Sequence, residues 1–89
     1  MLDTALAACQ KRIPGVRWRI QENTVFGEVY GSEFRLMLVG HKAFVEVSGK
    51  RRCRPSTDLD DLADVMRDSM VRRRDALNRA LERKDDHKA

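Results

Sequence analysis

The chain has 89 residues, 42% hydrophobic and 36% charged, with a formal net charge of +4. That length allows one domain with one core, and the composition is too apolar for a disordered chain and too polar for a membrane protein. No run of about 18 apolar residues is present, so no transmembrane helix is expected, and the modest positive charge admits an anionic partner without requiring one.

Leu2, Ala5, Leu6, Cys9 and Ile13 recur at steps of three, one, three and four, which places them on one face of a first helix. Asp3 or Thr4 is suited to cap its start, and Pro14-Gly15 ends it. Asp3 and the shortness of the apolar stretch argue against a cleaved signal peptide. Cys9 and Cys53 are too few for a disulfide framework and have no zinc-ligand spacing. Reduced thiols and a cytoplasmic setting are therefore expected, with Cys9 a small core residue.

From Val16 to Ser48 the period becomes two. Breaks at Glu22-Asn23, Gly31-Ser32 and Gly40-His41 divide the segment into four strands joined by two-residue turns. Pairing Gln21 with Thr24, Tyr30 with Glu33 and Val39 with Lys42 gives an inner face of Val16, Trp18, Ile20, Val25, Val29, Phe34, Leu36, Leu38, Ala43, Val45 and Val47. All of these are apolar, as a consistent register requires. The same pairing predicts an inner row of Trp18, Gly27, Leu36 and Val45, in which the glycine leaves room beside the tryptophan. On the outer face it predicts an alternating ionic row, Arg17, Glu28, Arg35, Glu46. Beside that row it puts Arg19, Phe26, Met37 and Phe44.

The basic segment Lys50, Arg51, Arg52, Cys53, Arg54 reads as a connector ending at Pro55. Ser56, Thr57 or Asp58 can then cap a long helix over residues 57–84, with Asp58, Asp60, Asp61 and Asp64 near its positive end. Arg72, Arg73, Arg74, Arg79, Arg83 and Lys84 lie toward its negative end. Leu59, Leu62, Ala63, Met66 and Met70 form the sheet-facing stripe, continued after a gap by Leu77 and Leu81. At 1.5 Å per residue such a helix runs roughly 40 Å, against about 23 Å for a seven-residue strand, so it should overhang the sheet. The fold expected is α+β in two layers: a four-stranded antiparallel meander with a short N-terminal and a long C-terminal helix. Residues 1–84 form the domain and residues 85–89 a frayed charged tail.

Catalysis is poorly supported. His41 is in a turn and His87 in the tail, and no nucleophile motif, phosphate loop, metal-ligand spacing or cofactor motif occurs. A small-molecule substrate is not evident. The reading is a non-enzymatic binding module, regulatory or accessory, that acts through protein contacts and self-association, with a homodimer the simplest arrangement. Its expected interface is Phe26, Met37 and Phe44 rimmed by Arg19, with Leu77 and Leu81 on the overhang. The alternative is nucleic-acid binding through Lys50, Arg51, Arg52 and Arg54, supported by Arg72, Arg73 and Arg74. The element order resembles double-stranded RNA binding domains and strand-meander-plus-helix single-strand binders; Thr57, Asp58, Asp60 and Asp61 replace the basic cluster that opens the last helix of the former, and no motif assigns a family.

Overall fold

A computed structural model describes residues 2–88, with side chains described for residues 2–82. The elements in chain order are α1 (Leu2–Arg12), β1 (Arg19–Gln21), β2 (Thr24–Val29), β3 (Ser32–Val39), β4 (Lys42–Val47), β5 (Lys50–Arg51) and α2 (Leu59–Lys88). The strands form one antiparallel meander in sequence order. Both helices lie on the same face of it, where Ala5, Cys9 and Ile13 of α1 and its exit meet Leu62, Met66 and Met70 of α2 over Val25, Phe34, Leu36, Ala43 and Val45. Each large aliphatic or aromatic side chain fully buried there contributes about 1.5–3 kcal/mol. No helix among the described residues is long and apolar enough to cross a membrane.

Two of the three expected registers hold, Gln21 opposite Thr24 and Val39 opposite Lys42. The middle one is corrected by two residues: Val29 pairs with Ser32, and the turn is Tyr30-Gly31, not Gly31-Ser32. Both turn residues have positive φ, 54° and 71°, the requirement of a type I′ turn with glycine in second place. A two-residue shift preserves parity, so the same side chains still face the helices. What changes is their neighbours. Gly27 now lies opposite Phe34, and the inner row is Trp18, Gly27, Phe34 and Val47. The room beside the tryptophan is needed: a Cβ on Gly27 would come within 2.8 Å of Val16 Cγ1 and 3.1 Å of the Trp18 ring. Trp18 Nε1 donates to the Ile13 carbonyl at 3.3 Å, tying the strand to the end of α1.

Ile20, expected in the core, is 43% exposed. It sits on the three-residue edge strand β1, all of which is exposed, while the buried cluster centres on β2 to β4. The expected connector supplies a fifth strand. Ser48-Gly49 forms another positive-φ turn, at 52° and 81°, and Lys50 and Arg51 pair with Val47 and Glu46. Arg52 N–H continues the ladder to the Val45 carbonyl at 2.8 Å, and Ser56 rejoins β4 by exchanging two backbone hydrogen bonds with Ala43, at 2.8 and 2.9 Å. Two extra residues are accommodated between those points, and Pro55 falls in this bulge, where its missing N–H breaks no ladder bond.

Asp58 caps α2, its Oδ1 accepting from Asp61 N–H at 3.1 Å, while Ser56 Oγ accepts from Asp58 N–H at 3.1 Å. The helix therefore starts at Leu59 and runs to Lys88, beyond residue 84 where it was expected to end. The expected tail is helical through Lys88; Ala89 and the side chains from Arg83 onward, His87 included, lie outside the described residues. Arg12 of α1 reaches Asp64 of α2 at 3.1 Å and Asp60 at 3.8 Å, tying the end of α1 to the first turns of α2. Met70 is the last buried residue of α2 among those described. Thirty residues span about 45 Å, and the molecule measures 54 × 24 × 20 Å, so the second half of the helix projects past the sheet.

Candidate functional site

The register correction rearranges the outer face. Phe26 lies opposite Arg35, not Met37, and Arg35 opposite Glu46, while only Met37 and Phe44 remain a cross-strand pair. The expected apolar row is thus broken, although Phe26 and Met37 still meet on the diagonal, lining a shallow hollow with Gln21, Thr24 and Arg35. The ionic row is altered too: Glu28 faces Glu33, and the like charges are offset by Arg35, whose Nε donates to Glu33 Oε1. Arg19 stands opposite Phe26 on the exposed edge strand. Phe26, Met37 and Phe44 are each half-buried even though no helix covers them.

Beyond the sheet, Leu77 and Leu81 are 37% and 61% exposed, as expected for an overhang; Val71, at 38%, lies on another helical face, in a hollow with Ile13 and Tyr30. Leu77 is seven residues after Met70 and so lies on the same helical face. The sheet ends before it can cover that face.

The basic residues fall on three different surfaces. Cross-strand partners share a face of a sheet, so Lys50, opposite the buried Val47, and Arg52, beside the buried Val45, point to the helix side. Arg51, opposite Glu46, points to the outer side. On α2, Val65, Ser69, Arg72 and Arg73 are spaced by four, three and one, a single helical face. That face looks across at β5, and the two enclose a groove of about 530 Å³ whose charged lining is Lys50, Arg52, Arg72 and Arg73. Ser32, Ser48 and Ser69 complete its polar wall, and no carboxylate is part of the lining among the described residues. Arg73 also donates from Nε to the Tyr30 carbonyl at 3.3 Å, which holds it against the β2–β3 turn.

Four of the seven expected nucleic-acid contacts therefore converge, though about twenty residues separate them in sequence. Arg54 is exposed in the bulge and does not line the groove. Arg74 points to the other side of α2, into a hollow with Ile13, Tyr30 and Met70, and lies 3.4 Å from Asp75. The three serines were missed by sequence reasoning. Nothing in their local sequence marks them, because only the packing of β3, the β4–β5 turn and α2 brings them together.

Other chemistry is limited. Burial pushes the Cys9 thiol up to about 12, so it stays protonated and unreactive near neutrality. His41 is exposed in its turn. Among the described residues no three His, Cys, Asp or Glu side chains gather as a metal cage. No family model, curated protein or solved structure matches this chain.

Proposed function

We propose that this protein is a small nucleic-acid-binding module that holds a phosphate backbone in the groove between β5 and α2, in a cytoplasmic setting. One observation carries the reading: two basic runs distant in sequence supply four cationic side chains to one concave surface lined by no acid among the described residues. Arginines with no binding role would be expected to disperse among carboxylates, as they do on the outer sheet face, where Arg35 stands opposite Glu46 and bonds Glu33. The Ser32 and Ser48 hydroxyls beside the cations add donors that suit phosphate oxygens, whereas Ser69 Oγ donates to the Val65 carbonyl at 3.1 Å. Arg79, seven residues after Arg72, lies on the same helical face about 10 Å further along the overhang. Asp75, three residues after Arg72 and four before Arg79, lies between them on that face, so the four-cation cluster is confined to the groove.

Four phosphate contacts predict that log K falls with log salt with a slope of about −3 to −4, depending on single- or double-stranded ligand. The test is fluorescence anisotropy on a labelled oligonucleotide with two charge-matched double variants. Arg52→Glu with Arg72→Glu reverses groove cations; Arg54→Glu with Arg74→Glu makes the same change in net charge outside it. Loss of binding in the first, with only modest weakening in the second, is the expected outcome. Equal losses would leave the groove without a role. Binding of polyglutamate as tight as that of the oligonucleotide would mark a general anion site instead.

A second reading, self-association through the overhang, is favoured by the exposed Leu77 and Leu81. Two side chains are few against the roughly 800 Å² per partner of a stable interface, which ranks this reading second. Sedimentation at high concentration decides it: a monomer ends it, whereas a dimer abolished by Leu77→Asp with Leu81→Asp supports it.

A further inference from the structure

We propose that the groove's ligand is single-stranded and that Arg51 is a platform on which one of its bases stacks. The proposal rests on the groove reading and adds to it what the far side of β5 does. Strand alternation puts Lys50 and Arg52 in the groove and Arg51 on the opposite face. There the Arg51 guanidinium carbon lies 4.6 Å from the centroid of the Phe44 ring, and its Nε donates to the Cys53 carbonyl at 3.3 Å. The ring on one side and the carbonyl at the edge hold an otherwise mobile side chain, and its remaining surface is open to solvent. A guanidinium is a planar, weakly hydrated cation that stacks on base rings.

The charge on the two faces divides the ligand's parts between them. Phosphates are favoured in the groove, where the lining carries cations only. They gain less on the outer face and meet carboxylates there, because Glu46 stands directly opposite Arg51 and Glu28 and Glu33 lie further along, interleaved with Arg35 and Arg19. A base has no such penalty. Because β5 is a two-residue edge strand, the groove and the platform are separated only by the thickness of one strand. A nucleotide with its phosphate in the groove can turn its base over that edge. A duplex cannot, since its bases are paired inward and its backbones lie on the outside.

The test compares a short oligodeoxyadenylate, an abasic strand of the same length and a duplex, each titrated against the wild-type protein and Arg51→Lys. The lysine keeps the charge and removes the plane. The wild type should bind the oligodeoxyadenylate more tightly than either other probe. Arg51→Lys should lose at least about fivefold on the oligodeoxyadenylate, with the abasic strand, the duplex and the salt slope unchanged. Phe44→Leu, which removes the support under the guanidinium, should repeat that pattern, with a thermal midpoint measured alongside to show that it folds. Equal wild-type binding of abasic and base-bearing strands, a preference for the duplex, or an unaffected Arg51→Lys would overturn the platform while leaving the groove standing. No binding of any probe at low salt would remove both.

Discussion

Gly27 shows how one missing side chain holds a corner of the fold. Trp18 and Val16 occupy the space where a Cβ would be, so Gly27→Ala forces backbone or indole to shift and should cost about 1–3 kcal/mol, read as a lower urea midpoint. The indole would move toward the Ile13 carbonyl it bonds, so near-ultraviolet circular dichroism should change with it. Cys9 carries a second prediction. With its thiol pushed by burial up to about 12, the folded form keeps its proton in a range where the unfolded thiol, near 9, has lost it. The unfolded state then binds fewer protons, so stability falls as pH rises from about 9 toward 12. Unfolding midpoints across that alkaline range should decline less steeply in Cys9→Ala. At neutral pH a thiol reagent should modify Cys53 well before Cys9.

At the level of elements, the meander's strands were legible because apolar residues alternate and short turn pairs, one of them Glu22-Asn23 and two bearing glycine, break them. Their exact neighbours were less so. Registers two apart keep the same face inward, and both Gly31-Ser32 and Tyr30-Gly31 make acceptable two-residue turns, so alternation alone could not choose between them. The choice falls to packing: Phe34 fits over Gly27, and the small Ser32 is buried at the strand end. β5 was hidden for another reason. Its residues are cations on both faces, with no apolar alternation, and the sole local sign was the Ser48-Gly49 pair, which repeats the non-glycine-then-glycine pattern of Tyr30-Gly31. The start of α2 was narrowed to three residues by sequence, and hydrogen bonding selects Asp58. Asp58→Ala should therefore cost about 1 kcal/mol, measured by urea unfolding, with no change in nucleic-acid binding.

For the whole molecule, the distribution of burial along α2 separates scaffold from projection. Leu62 and Met66 are fully buried under the sheet, and Leu62→Ala should cost 2–5 kcal/mol, about the usual range for a core leucine. Leu77→Ser with Leu81→Ser should change the unfolding free energy by less than about 0.5 kcal/mol, because nothing in the described part of this chain packs on them. A large loss in the double variant would mean that the overhang is part of the folded unit or is held by a second copy. The same projection leaves Leu77 and Leu81 exposed, so the part of the helix that contributes least to stability is also the part with the most uncovered apolar surface.

Local sequence chemistry was enough to determine the two helices and the first four strands in order, the parity of their inward-facing side chains, the glycine under the tryptophan and the overhang, since each follows from period, turn residues or helix rise. The basic groove was decided elsewhere. Lys50 and Arg52 had to be placed on one side of a strand that sequence did not reveal, and Arg72 and Arg73 had to be brought opposite them by the docking of α2 on the sheet. An exposed arginine makes little difference to folding wherever it lies, so no local pattern encodes which cations will meet. That meeting is a consequence of tertiary packing, and it separates one basic groove from an ordinary charged surface.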